Sequence, residues 1–139
     1  MADRDTTASL AVEVVERVDG TLIVKLTGEI DISTAEILID QFRAISAERI
    51  QNAILDATEV EFIDSTGLHA LIEGKRMIRE GGTNLVLVPS RQVRHVMELV
   101  FPEPLFAARV DSVEDAFAWL VSNPEGLNVA SPAGEGSSG

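Results

Sequence analysis

Residues 53–72, AILDATEVEFIDSTGLHALI, carry the pattern that decides the fold. The short apolar run Ala53–Leu55 is typical of a buried strand and is too short for a helix. Glu59 and Glu61 follow it, and we interpret them as a solvated loop. After Gly67 the apolar residues recur at helical spacing. A buried strand, a loop and an amphipathic helix are therefore predicted along this stretch. The helix is expected to turn Leu68, Leu71, Ile72 and Ile78 inward and to stop at Gly81-Gly82.

Upstream of this stretch, two segments of alternating apolar residues flank the pair Asp19-Gly20. This pair is typical of the tight turn of a β-hairpin, because the turn requires positive φ angles. We therefore predict strands over residues 10–18 and 22–27. Further along, Ser33-x-x-Glu36 predicts a capping box that opens a helix. Its expected inward residues are Leu38, Phe42 and Ile45.

Downstream, residues 85–88 are all apolar and stop at Pro89, which predicts another buried strand. The next segment predicts a helix, because its apolar residues fall at i, i+3, i+4 and i+7. Those residues are Val93, Val96, Met97 and Val100. Two prolines then predict a loop over residues 101–104.

The last part of the folded region is expected to hold a short strand over residues 105–110 and a final helix. Asp111 or Ser112 is the expected N-cap of this helix. Trp119 is interpreted as packing at the helix edge. The expected inward residues are Val113, Phe117, Leu120 and Val121.

The order of these elements predicts the fold class. One hairpin followed by alternating strands and helices indicates a single α/β domain with a mixed, mostly parallel sheet of four to five strands and about four helices. We assign the domain to residues 9–122. Residues 1–8 are expected to be a flexible N-terminus, and residues 123–139, rich in Gly, Pro and Ser, a disordered tail.

Composition restricts the function. The chain has 139 residues, a net charge of −12 and no cysteine. Such a charge disfavours nucleic-acid binding and binding to anionic membranes. The sequence contains no apolar run long enough to span a membrane and no apolar signal-peptide core, so a cytoplasmic location is expected. Thiol catalysis and disulfides are excluded by the lack of cysteine.

Chemical motifs do not indicate an enzyme. The chain has no phosphate-binding glycine loop, no dinucleotide fingerprint and no metal-spaced histidine pair, so no cofactor and no metal site are expected. His69 is considered as a general base for Ser65, but a solvent-facing histidine is the preferred interpretation, since a triad also needs an orienting acid and an oxyanion site. The pairs Glu29/Asp31 and Glu59/Glu61 likewise do not require acid–base or metal chemistry.

The segment IDSTGL, residues 63–68, carries two compatible interpretations. In the structural one, Asp64 or Ser65 is the N-cap of the following helix. In the functional one, a hydroxyl at the helix start accepts a phosphate, which the N–H groups and the dipole of the helix would tolerate. The two interpretations are compatible, because a hydroxyl that caps a helix is also able to accept a phosphate from a kinase.

Several motifs together resemble the STAS family, whose single-domain members antagonise anti-sigma factors in bacteria. The resemblance covers about residues 10–122. It rests on LTGEID at residues 26–31, Thr34-Ala35 at the next helix start, FIDSTGL at residues 62–68, and Gly81-Gly82 before the strand at Leu85. Their order and spacing are more specific than any one of them.

The resemblance implies a non-enzymatic anti-sigma factor antagonist with Ser65 as the phosphoacceptor. Thr66 takes the second hydroxyl position, and Asp31, Asp64 and Gly67 complete the partner-binding set. The implied partner is an anti-sigma factor with serine kinase activity, which the unphosphorylated chain binds so that the sigma factor is released. Phosphorylation would break the complex, and a serine phosphatase would restore it.

Two alternatives remain open from the sequence. The chain is also compatible with a STAS subunit of another assembly, such as a transport complex or a stressosome-like scaffold. The other alternative is a nucleotide or small-molecule sensor that uses the helix start at Ser65, although no phosphate-binding glycine loop supports it.

Overall fold

A strand hairpin is followed by alternating helices and strands and by two final helices in the computed structural model, which describes residues 9–18, 20–48, 50–100 and 110–123. The described strands are β1 (Leu10–Val18), β2 (Thr21–Ile30), β3 (Asn52–Ile63) and β4 (Asn84–Pro89). The described helices are α1 (Ala35–Ala47), α2 (Ser65–Glu80), α3 (Arg91–Val100) and α4 (Val113–Ser122).

The four strands form one mixed sheet in the order β1-β2-β3-β4. β1 and β2 are antiparallel, whereas β2/β3 and β3/β4 are parallel. Gly20, at φ +80°, lies in the connection between β1 and β2, a backbone conformation that favours glycine. The predicted α/β fold with one antiparallel edge and a largely parallel sheet is confirmed.

Each face of the sheet has its own apolar core. Alternation along the strands sends Leu22, Val24 and Leu26 to the face covered by α1 and α2, while Ile23 points to the opposite face, where α4 packs. The second core consists of Ile23, Ile54, Val86, Val88, Val110, Ala116 and Leu120, with Val113, Phe117 and Trp119 packed against it. The interpretation of Trp119 as packing is therefore confirmed.

β3 is much longer than expected, and the loop predicted at Glu59 and Glu61 is wrong. Both glutamates lie within the strand, exposed to solvent. Ala57, Val60 and Ile63 all reach the first core although they are three residues apart. Register shifts against β2 in this region insert an extra residue on β3 before Val60 and before Ile63. These bulges keep the apolar residues on one face while breaking strict alternation.

Two expected inward residues are exposed. Val121 of α4 is 79% exposed and Val100 of α3 is 50% exposed, whereas Val93 is buried as expected. Val121 follows directly after the buried Leu120, so a 3.6-residue repeat turns it away from the sheet. Ser112, one of the two expected caps, is the N-cap of α4 and accepts from Asp115 N.

Some predictions lie outside the described residues. These include the flexible N-terminus over residues 1–8, the loop over 101–104, most of the strand expected over 105–110, and the tail after Asn123. Val110, the described end of that expected strand, is buried and belongs to no strand.

Candidate functional site

The candidate site lies at the carboxyl ends of the neighbouring parallel strands β2 and β3. Ile30 and Ile63 end these strands and are cross-strand partners. Asp31 follows the first and Asp64 follows the second, so both carboxylates lie at one edge of the sheet. Ligands and partners of open α/β sheets commonly bind at this edge.

Asp64 sets the start of α2. Its side chain accepts a hydrogen bond from the backbone N–H of Gly67 at 2.8 Å, and its own φ and ψ are extended, as is usual for an N-cap. Of the two expected caps, Asp64 is therefore the cap, and Ser65 is the first residue of the helix. The Ser65 side chain is exposed at that position.

The start of α2 is held tightly against the end of β2. The backbone N–H of Asp64 donates to the carbonyl oxygen of Ile30 at 3.2 Å. Gly67 is buried, and a Cβ atom there would lie 2.7 Å from the carbonyl carbon of Ile30 and closer still to its oxygen. Glycine at this position permits the close approach that fixes where Ser65 is presented.

The turn after β2 is organised by Asp31 and Thr34. The Asp31 carboxylate accepts from the Ser33 hydroxyl at 2.6 Å and from the Ser33 N–H at 2.9 Å. The buried Thr34 hydroxyl donates to the carbonyl oxygen of Glu29 at 2.8 Å and accepts from the Asp31 N–H at 2.9 Å. These bonds fix the backbone on both sides of Asp31.

The capping box expected at Ser33 and Glu36 is wrong. Thr34 is the N-cap of α1, and its side chain makes no capping bond to the helix. Its hydroxyl is instead used by the turn, and the Ser33 hydroxyl is used by Asp31. Thr34 is therefore an organiser of the site that was not predicted from the sequence. The Asp-x-Ser-Thr run is the signal for it, because Asp, Ser and Thr side chains often hydrogen-bond the backbone of a turn.

Asp31 is an ionised, solvent-accessible carboxylate. The hydrogen bond from the Ser33 hydroxyl holds the pKa of Asp31 below its ordinary value of 3.8, and backbone N–H groups of Ser33 and Thr34 act in the same direction. Burial acts in the opposite direction and is outweighed by these hydrogen bonds together. Hydrogen bonds to a charged carboxylate favour that form, so Asp31 carries its negative charge throughout the neutral range.

The five residues expected to bind a partner thus meet at one edge, but their exposure differs. Ser65 is exposed, Asp31, Asp64 and Thr66 are half-buried, and Gly67 is buried. His69 is exposed on α2, as the non-catalytic interpretation expected. Of the two hydroxyl-bearing residues in this set, Ser65 is the more exposed, and the set also carries the carboxylates of Asp31 and Asp64.

The described ranges contain no group of three or more His, Asp or Glu that would hold a metal ion. A cavity of about 470 Å³ runs along the second half of α2, where it is lined by Ile72, Lys75, Arg76, Arg79 and Glu80. It begins two turns beyond Ser65 and is separate from the site. Within the same ranges, no helix has the length and apolarity needed to cross a membrane.

Comparison with known families identifies the class of protein. The sequence profile of the STAS domain matches residues 12–116. The chain therefore belongs to the STAS domain family, and the matched range includes β2, β3 and the whole candidate site.

Solved structures with the same fold come from several settings. An anti-sigma factor antagonist from Mycobacterium paratuberculosis is 27% identical, with a TM-score of 0.68, over 81% of this chain and 95% of that chain. A sulfate transporter family protein from Wolinella succinogenes is 29% identical, with a TM-score of 0.64, over 78% and 90%. The Bacillus cell fate determinant SpoIIAA in its phosphorylated form is 20% identical, with a TM-score of 0.57, over 79% and 99%. At that identity, the last of these supports the fold alone.

Proposed function

We propose that this chain is an anti-sigma factor antagonist that is switched by phosphorylation of Ser65. In its unphosphorylated form it binds an anti-sigma factor with serine kinase activity, and the sigma factor is released. The observation that carries the proposal is the exposed Ser65 hydroxyl at the first residue of α2, beside Asp64 and at the same sheet edge as Asp31. The similarity to the Mycobacterium paratuberculosis antagonist supports this role.

Accessibility favours Ser65 over Thr66 as the phosphoacceptor. A kinase must bring the hydroxyl oxygen into line with the γ-phosphate of ATP, which requires open space around that oxygen. Ser65 is exposed, whereas Thr66 is half-buried. Thr66 and Gly67 would shape the turn that the partner contacts.

Electrostatics explain how a phosphate on Ser65 would release the partner. Phosphorylation adds roughly −1.5 to −2 charges at neutral pH. Residues 51–74 contain no Lys or Arg, and the first basic residue after them, Lys75, is about 15 Å from Ser65 along the helix at 1.5 Å per residue. An unpaired charge buried in an interface costs several kcal/mol of binding free energy. Since an anion is tolerated at a helix N-terminus, the fold itself would persist.

The rest of the proposed cycle follows from this chemistry. The chain is a substrate and a binding protein rather than an enzyme, it uses no cofactor, and a separate serine phosphatase regenerates the binding form. A net charge of −12 argues against a nucleic-acid ligand. The proposed location is the cytoplasm, where sigma factors act on RNA polymerase.

Reconstitution tests the proposal. The chain is mixed with each anti-sigma factor kinase encoded in the same genome, and binding, sigma release and phosphate transfer from ATP are measured. We expect one kinase to bind the unmodified chain, to give up its sigma factor and then to phosphorylate the chain. If no such kinase binds the chain and none phosphorylates it, the proposal is wrong.

A second candidate function has one observation in its favour. The Wolinella succinogenes sulfate transporter family protein is 29% identical to this chain over 90% of its own length. A role as the STAS part of a transport assembly would use the same fold with a different partner. Co-purification with a permease, in place of an anti-sigma factor, distinguishes this candidate.

A further inference from the structure

Two exposed apolar side chains lie at the sheet edge that carries Ser65. Ile32 is 77% exposed and Phe62 is 48% exposed. Ile32 is two residues beyond Ile30, Phe62 directly precedes Ile63, and these two isoleucines are cross-strand partners. Both exposed side chains are therefore close to the same strand ends, one on the connection to α1 and one on β3.

The fold does not bury either side chain. Phe62 pairs with Glu29 across the two strands and lies on the face opposite its buried neighbour Ile63, but it does not belong to the core packed against α4. Ile32 lies in the turn that Asp31 and Thr34 fix by their hydrogen bonds. A fixed turn presents Ile32 in a set position, which lowers the entropy cost of binding through it.

The two segments that carry these residues are acidic. Residues 26–42 and 51–74 contain no Lys or Arg and hold four and five acidic residues, respectively. Lys25 lies just outside these segments, and its Nζ is 3.8 Å from a carboxylate oxygen of Glu59. Four carboxylates lie close in sequence or pairing to the two apolar residues: Asp31 precedes Ile32, Glu29 pairs with Phe62, and Glu61 and Asp64 lie within two residues of Phe62.

We propose that Ile32 and Phe62 form the apolar centre of the surface that docks on the protein partner, whose own surface is basic around an apolar depression. This inference rests on the proposed function and extends the binding surface beyond Asp31 and residues 64–67. Protein interfaces commonly have such an apolar centre and a polar rim, and complementary charge speeds association. A second copy of this chain does not fit, because it would set carboxylates against carboxylates.

Binding constants of matched variants test the inference. The probe is each purified anti-sigma factor kinase of the same genome, titrated with the unphosphorylated chain. We expect Ile32→Ala and Phe62→Ala each to weaken binding about tenfold or more, as central residues of interfaces do. Ile32→Glu should weaken binding further. The control is Val121→Ala, another exposed apolar residue, on α4 and 79% exposed, which should change the Kd by less than about twofold.

Salt and folding controls complete the design. The wild-type Kd should rise with ionic strength, because added salt shortens the range over which opposite charges attract. Ile32→Glu alters a side chain that is 77% exposed, so it carries the test even if Phe62→Ala does not fold.

The outcomes separate the inference from the function. If the wild type binds a kinase and the Ile32 and Phe62 variants bind like Val121→Ala, the inference is wrong while the function stands. A Kd that does not depend on salt would overturn the basic partner surface, and a wild-type dimer dissociated by Ile32→Glu would assign the surface to a second copy. If the wild type binds no kinase, the function fails and the inference with it.

Discussion

The carbonyl group of Ile30 occupies the space in which a side chain would lie if Gly67 were replaced by a larger residue. A Cβ atom at residue 67 would be 2.7 Å from the carbonyl carbon of Ile30. The same carbonyl oxygen accepts a hydrogen bond from the N–H of Asp64. The end of β2 and the start of α2 are therefore in direct backbone contact. Asp64 and Gly67 make this contact, and Ser65 lies between them in the sequence.

We expect Gly67→Ala to destabilise the fold by about 1–3 kcal/mol, the usual range for overpacking. The substitution would ordinarily favour a helix, so a loss of stability isolates the clash with Ile30. Urea unfolding gives the free energy. His69→Ala, an exposed change on the same helix, is the control and should cost less than about 0.5 kcal/mol. A stability gain in Gly67→Ala would contradict this packing.

Asp64 and Ser65 should differ sharply in their effect on stability. Asp64→Ala removes the N-cap acceptor and should cost about 1 kcal/mol, whereas Asp64→Asn retains an acceptor and should cost much less. Ser65→Ala should cost less than about 0.5 kcal/mol, because Ser65 is not the cap. Chemical denaturation of the three variants checks this. An equal loss in Asp64→Ala and Ser65→Ala would show that both side chains cap the helix.

The charge of Asp31 should persist to a lower pH than that of an ordinary aspartate. Because its folded-state pKa lies below its ordinary value of 3.8, the ionised carboxylate favours the fold above about pH 4, and this contribution is lost as the pH falls through the folded pKa. An NMR titration of the Asp31 carboxyl carbon measures it. Ser33→Ala should move the pKa up towards 3.8, and Ser122→Ala should not. An unchanged pKa in Ser33→Ala would refute the assigned cause.

Asp31→Asn should separate binding from folding. The amide oxygen of asparagine is able to accept the same bonds from Ser33, so the unfolding midpoint should change little. Partner binding or phosphorylation should weaken, since a negative charge at the sheet edge is lost. Binding constants and thermal unfolding of the same preparation check this. Parallel losses of stability and binding would instead make Asp31 a purely structural residue.

The regular parts of the fold were predictable from the sequence because their patterns are local. The positive φ of Gly20, the buried strand β4 and the inward face of α2 all follow from residue type and spacing. β3 was not fully predictable, because its bulges separate Ala57, Val60 and Ile63 by three residues. Such spacing in a strand depends on the neighbouring strand, which the local sequence does not specify.

The residues of the candidate site were predictable from the sequence, but the structural role of each residue was not. Asp31 and Asp64 follow two strand ends, and parallel pairing brings them to one edge. Backbone geometry at Thr34 and Ser65 decides which side chain caps a helix, which organises a turn and which stays exposed. Ser33 looked like a cap because its spacing to Glu36 fits that motif, yet its hydroxyl bonds to Asp31.

The central claim is that Ser65 is the phosphoacceptor whose modification releases the partner. The most direct measurement is phosphopeptide mapping, with binding constants, after incubation with the cognate kinase and ATP. We predict that Ser65→Ala is not labelled but still binds, that Ser65→Asp folds but binds poorly, and that Thr66→Ala, the matched control, is still labelled. Label that persists in Ser65→Ala, or wild-type binding by Ser65→Asp, would contradict the switch.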